Sequence, residues 1–245
     1  MVSELVPFID KTYPTIPDPK ARGIGGHSAG GYTALILPVL HPNVWGSVGM
    51  NDPGFWIFWE FITDEADFPE SMKVYFGWMR SVFLRLPQDF NGYASVDLYT
   101  KILLQMGTSF SPNPDSPILC DMPVQAGEWI SEVRDKWSAY DLMNSQTINK
   151  HSATLKNLLS ITIVVPDDMG ITSTNSVSNI YFMSHLQSAN ISMTRLDMPG
   201  GHGDYSPDRF IAITEQLLKA MQGSGTSVLS RVKLVATWGE IKGKQ

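Results

Sequence analysis

The sequence predicts an α/β protein with a mostly parallel sheet flanked by helices, and three observations carry that expectation. Residues 21–50 read as strand, sharp turn, helix and strand, the spacing of a βαβ unit with a right-handed crossover. Leu158–Val165 is a continuously apolar, β-branched run closed by Pro166, the pattern of a strand buried on both faces inside a parallel sheet. From there to Met221, strand-like and helix-like stretches alternate. At 245 residues, with 43% apolar and 17% charged, the chain has enough material for one sizeable α/β core.

The elements follow in order. Ser3–Lys11 is expected as a short helix capped by Ser3, with Leu5, Val6, Phe8 and Ile9 on its apolar side. Pro14, Pro17 and Pro19 make a rigid loop, and Ala21–Gly26 is a short strand. The helix over Tyr32–Leu37 meets Pro38, which should kink or end it. Val44–Met50 is the next strand.

Between Asn51 and Leu159 the strand rhythm stops, and helical spacing is found only in Ser71–Leu86 and Ala126–Tyr140. We read residues 1–245 as a single domain in which 51–157 is a cap-like insertion over the active site. Trp and Met there suit an adaptable apolar pocket wall, and Trp56 and Trp59 are expected at the substrate. After the Leu158–Val165 strand come a helix over Asn175–Ala189, with Ile180, Met183 and Leu186 on one side, and a strand over Ile191–Met198. A helix over Pro207–Met221, capped by Ser206, follows. Residues 226–238 alternate, with Val228, Val232, Leu234, Ala236 and Trp238 on one face and Arg231 and Lys233 on the other, as an extra C-terminal strand would.

Bulk properties narrow the partners. A net charge of −6 gives no attraction to nucleic acid or to an anionic membrane surface, so neither is expected. The single cysteine, Cys120, rules out an internal disulfide and a cysteine-rich metal site. No apolar run approaches the ~18 residues of a membrane span, and Met-Val-Ser-Glu-Leu-Val has no signal-peptide pattern.

Gly26-His27-Ser28-Ala29-Gly30 fits Gly-x-Ser-x-Gly, a strand-to-helix turn that presents a nucleophilic serine. The strained serine backbone leaves little room two residues away on either side, which accounts for both glycines. Attack by a hydroxyl needs a base, a group to hold the base, and donors for the oxyanion. His202, in a Gly-Gly-His-Gly loop just past a strand, is the expected base. His27 adjoins the serine from the opposite side of its turn and is expected to touch substrate. The acid is sought after the strongest strand, in Pro166-Asp167-Asp168, with Asp168 preferred to Asp167; Asp204 stands too close in sequence to His202. The Ala29 amide, at a helix N-terminus, would be one oxyanion donor.

No metal and no cofactor are expected. His-Glu-x-x-His is absent, and Gly23-Ile-Gly25-Gly-His-Ser28 has serine where a dinucleotide-binding loop needs its third glycine.

The order Ser28, Asp168, His202, each after a strand, is that of α/β-hydrolases. The segment Arg22–Leu35, Trp137-Ser-Ala-Tyr-Asp-Leu, and Met198-Pro-Gly-Gly-His-Gly-Asp-Tyr resemble esterases of the esterase D and feruloyl esterase type. The likeness spans most of Pro7–Met221 and is thin across Asn51–Ala126; Pro166 stands where that family has Gly-x-x-Asp. It implies a serine carboxylic-ester hydrolase, cofactor-free, acting on short-chain or aryl esters such as acetyl or feruloyl groups, free or carbohydrate-linked. An acyltransferase using the same triad and a non-catalytic binding protein of this fold are the alternatives.

That family places several strands ahead of the nucleophile, one of which gives the second oxyanion amide. Only 27 residues precede Ser28 here, so Ala21–Gly26 is expected to be an exposed sheet edge. Residues 226–238 of the same or a neighbouring molecule covering it, or a homodimer across it, would resolve the exposure, and a homodimer is expected.

Overall fold

A computed structural model of the chain describes residues 2–55, 98–125, 128–167, 174–204 and 206–224. The expected Ser71–Leu86 helix, Trp56, Trp59, Asp168 and residues 226–238 lie outside them. The chain divides into two compact units, Met1–Phe55 with Ile148–Gln245, and Trp56–Thr147.

The first unit carries a parallel sheet. Helix α1 spans Leu5–Thr12 and buries none of its residues, with Leu5 50% and Phe8 57% exposed; Glu4, not Ser3, precedes it, without a side-chain cap. Strand β1 is Gly23–His27, α2 is Ala29–Leu40 and β2 is Ser47–Asn51. Helix α2 runs past Pro38 to Leu40. A proline so near the end removes a single ladder bond, and burial of Leu35, Ile36 and Val39 holds that turn.

The second unit holds α3 (Leu98–Phe110), a two-strand hairpin of β3 (Val124–Gln125) and β4 (Glu128–Trp129), and α4 (Ser131–Ser138). The hairpin occupies the start of the helix expected over Ala126–Tyr140. The unit packs around Trp137, fully buried, whose indole N–H donates to Ser111 Oγ at 2.8 Å. The Phe110 ring meets Trp137 edge-on and stacks on Tyr140.

Helices α5 (Ser145–Lys150) and α6 (Ser152–Lys156) precede β5 (Ser160–Pro166), α7 (Thr174–Ser188), β6 (Thr194–Met198) and α8 (Ser206–Gly223). The sheet order is β1-β2-β5-β6, all parallel, with Gly25 beside Gly49 beside Thr162 and His27 beside Asn51 beside Val164. As its uninterrupted apolar sequence predicts, β5 is central and buried from Ile161 to Pro166.

Alternate residues face opposite helices. Gly23, Gly25 and Gly49 face α8, whose Ile213, Leu217 and Met221 form a core with Val164, Leu196 and Met198. A Cβ at Gly49 would stand 2.1 Å from Ile213 Cγ2, so glycine there sets how closely α8 approaches. On the other face Phe55 stacks on Phe182 of α7 and meets Tyr32 of α2 edge-on, which puts α2 and α7 on that side. Helix α7 buries Asn179, Phe182, Met183 and Leu186, while Ile180, expected among its buried residues, is 50% exposed.

Among the described residues no helix is long and apolar enough to cross a membrane.

Candidate active site

The site is built where the strands end. Ser28 occupies the turn between β1 and α2 with φ 54° and ψ −123°, a left-handed conformation that costs a non-glycine residue about 1–3 kcal/mol. A serine before a helix commonly bonds the helix amides with its own hydroxyl. Here no such cap bond forms, and Oγ turns instead to His202 Nε2 at 3.0 Å.

Several backbone bonds hold the turn. Ser28 N–H donates to the Asn51 carbonyl, and the Ser28 carbonyl accepts from Gly31, Tyr32 and Gly54. A Cβ at Gly26 would lie 2.1 Å from the Gly30 carbonyl oxygen, and one at Gly31 3.0 Å from Pro53. Gly30 has nothing within 4 Å of that position. The steric demand expected at Gly26 and Gly30 therefore falls on Gly26 and Gly31.

The other imidazole nitrogen meets a carboxylate that the sequence reading did not single out. His202 Nδ1 lies 2.5 Å from Asp52 Oδ2, and Asp52 is fully buried. Its second oxygen accepts from Asn179 Nδ2 at 2.8 Å, across 127 residues of sequence. Its own N–H donates to Val164 O, and its φ is 41°. The position expected for Asp168 at the ring is thus held by Asp52. His202, which follows β6, reaches back across the sheet to Ser28, and there its Nδ1 meets the loop after β2.

Asp167, the other carboxylate considered, braces the histidine loop. Its Oδ1 accepts from Gly200 N–H at 3.1 Å, and its own N–H donates to Met198 O. Asp204 accepts from Gly201 N–H at 2.9 Å. Arg209, fully buried at the start of α8, donates to the Gly201 carbonyl at 2.8 Å and to the Pro199 carbonyl. Gly200, at φ 88°, takes a backbone conformation that a side chain would strain.

His27 does not lie on the opposite side of the turn. Its ring sits 4.5 Å from that of His202, tilted by 36°, with Nδ1 3.2 Å from the Asn51 carbonyl. Partial burial, and next the charge His202 can carry, push its pKa below the usual histidine value. The Ala29 amide, at the N-terminus of α2, donates to no acceptor among the described residues. No group of three or more metal-ligating side chains occurs among them either.

Sequence reasoning missed Asp52, Asn179 and Arg209. A signal existed for the first, since Asn51-Asp52-Pro53-Gly54 also follows directly on a strand between the serine and the histidine. Nothing in the sequence marks Asn179 or Arg209, which sit within ordinary helices.

A parallel sheet with helices on both faces and a serine at the turn after β1 define an α/β-hydrolase-like fold. Comparison with known proteins narrows this in part. Residues 1–67 match the family described as "Putative esterase". Thirteen chains of solved structures match, among them a ferulic acid esterase at 18% identity and a TM-score of 0.47. That alignment covers 90% of this chain, which spans 58% of the esterase's length. No curated protein matches the sequence.

Proposed function

We propose that the chain is a serine carboxylic-ester hydrolase working through an acyl-enzyme on short-chain or aryl esters of acetyl or feruloyl type. The carrying observation is the unbroken hydrogen-bond chain Ser28 Oγ, His202 Nε2, His202 Nδ1, Asp52. The esterase match over residues 1–67 supports the reading, because it includes both Ser28 and Asp52.

In this reading His202 Nε2 takes the proton as Ser28 Oγ attacks the ester carbonyl. Asp52 accepts the Nδ1–H, fixing the tautomer that leaves Nε2 as base and stabilising the imidazolium. Asn179 holds the Asp52 carboxylate so that one oxygen stays on the ring. The Ala29 amide receives the oxyanion at the positive end of α2. Collapse of the tetrahedral intermediate expels the alcohol with the proton from Nε2, and water then repeats the cycle on the acyl-serine. His27, against His202, borders the space where the acyl group would sit.

Hydrolysis of p-nitrophenyl acetate, p-nitrophenyl butyrate and methyl ferulate by wild type and Ser28→Ala tests the reading. Activity that the variant lacks is the expected result; equal rates would overturn it.

A further inference from the structure

His27 ends β1 on the face that α8 covers. Side chains alternate along a strand, and Gly23 and Gly25, four and two residues earlier, face Met221, Leu217 and Ile213 of that helix. The helix runs back along β1, with Met221 over Gly23 and Ile213 over Gly25, so its first turn, with Arg209, falls at the level of His27. Arg209 also holds the Gly201 and Pro199 carbonyls, which draws the loop carrying His202 over the same face. The two imidazoles meet there.

One carbonyl ties the neighbouring parts together. Asn51 O accepts from Ser28 N–H at 3.1 Å and stands 3.2 Å from His27 Nδ1, and Asn51 directly precedes Asp52. A carbonyl can only accept, so Nδ1 carries a hydrogen, and the His27 ring is pinned to both the serine turn and the Asp52 loop.

His202 is held less completely. Its side chain is 39% exposed, and its hydrogen bonds to Ser28 Oγ and Asp52 Oδ2 both leave from the ring edge. Two edge bonds do not oppose rocking of the ring about the line through its nitrogens; a contact on the ring face does. The His27 ring supplies one, with centroids 4.5 Å apart and planes tilted by 36°.

We propose that His27 is a positioning residue for the reaction: its ring, pinned to the Asn51 carbonyl, backs the face of His202 and keeps Nε2 aimed at Ser28 Oγ while the proton moves. This rests on the serine-esterase reading above.

Charge supports it. Among the described residues, the titratable and charged groups acting on His27 are His202 after β6, Asp52 after β2 and Arg209 on α8. Partial burial, then the charges of His202 and Arg209, hold its pKa below the usual histidine value, against the Asn51 carbonyl and Asp52. His27 thus stays uncharged when His202 becomes an imidazolium, and an uncharged ring face attracts a cation that a second imidazolium would repel.

The test is kcat per active site, with sites counted by fluorophosphonate titration, on p-nitrophenyl acetate and methyl ferulate. His27→Ala should lower kcat by about 10- to 100-fold, equally on both esters, with KM little changed. His27→Phe keeps a flat ring against His202 and should lie nearer wild type. His27→Gln keeps a donor without the ring and should fall with His27→Ala. Counting sites separates this from a purely structural role, which would reduce their number and leave the rate of each. An unchanged kcat in His27→Ala would overturn the proposal, as would a loss confined to KM or a rescue by Gln and not by Phe. Ser28→Ala, run alongside, keeps the two readings apart. If it hydrolyses as fast as wild type the esterase reading fails; if it is inactive while His27→Ala is undiminished, this inference alone fails.

Discussion

The two ends of β1 are built differently. At its C-terminal end every group near Ser28 is over-determined. The Ser28 carbonyl takes three amides, Asp52 is buried and bonded to Asn179 and His202, and Arg209 with Asp167 ties down the histidine loop. Along its outer flank the neighbours are sparse, with α1 burying nothing and Gly23 and Gly25 exposed. Backbone strain at Ser28 and Asp52 persists only because the surroundings leave no alternative. Among the described residues the flank of β1, Gly23–His27, carries no positive φ.

The sharpest way to break this contrast is Asp52→Asn. If the buried carboxylate holds the base, kcat should fall by about 10⁴, with Asp167→Asn far milder; the reverse order in steady-state kinetics would return the role to the loop after β5. Gly26→Ala comes next, since its Cβ would meet backbone 2.1 Å away. It should cost upward of ~3 kcal/mol or prevent folding. Gly30→Ala, in a helix with open space, should instead stabilise by roughly 0.5–1 kcal/mol, and denaturant midpoints would separate the two.

Asn179→Ala removes a donor to a buried carboxylate, a bond worth about 1.5–3 kcal/mol. A 10- to 100-fold loss in kcat with KM little changed is expected, and Asn179→Gln should recover less than the full rate because its longer chain displaces the amide.

Acid provides a gentler probe. His27, His151 and His185 all have depressed values, for each of which burial is the largest cause. Between those values and ~6.5 the unfolded chain binds more protons than the folded one, so stability rises with pH across that window and is lost on acidification. Tm measured from pH 5 to 7 should therefore slope less steeply in His27→Gln. The smallest effect belongs to the flank: Phe8→Ser, at a side chain 57% exposed, should move stability by no more than ~0.5 kcal/mol.

Local chemistry made much of the architecture readable. The glycine-flanked serine, the apolar run of β5 and the helical periodicity of α8 each announce themselves within a few residues, because φ/ψ restriction, two-faced burial and 3.6-residue spacing are properties of short stretches. The serine and the histidine were legible for the same reason, each standing beside a turn signal at the end of a strand. Boundaries drifted where packing decides them: β2 runs over Ser47–Asn51, shifted toward the site because Asn51 must meet Ser28.

What the sequence by itself determined is thus the parallel α/β plan, with Ser28 at the turn after β1 and His202 in the loop after β6. Which carboxylate meets that histidine was decided only in three dimensions, because Asp52, Asp167 and Asp168 all follow strands and only the reach of the His202 ring back to Ser28 brings it onto Asp52. The same holds for Asn179 and Arg209, whose partners lie across the fold and leave no trace in the residues beside them.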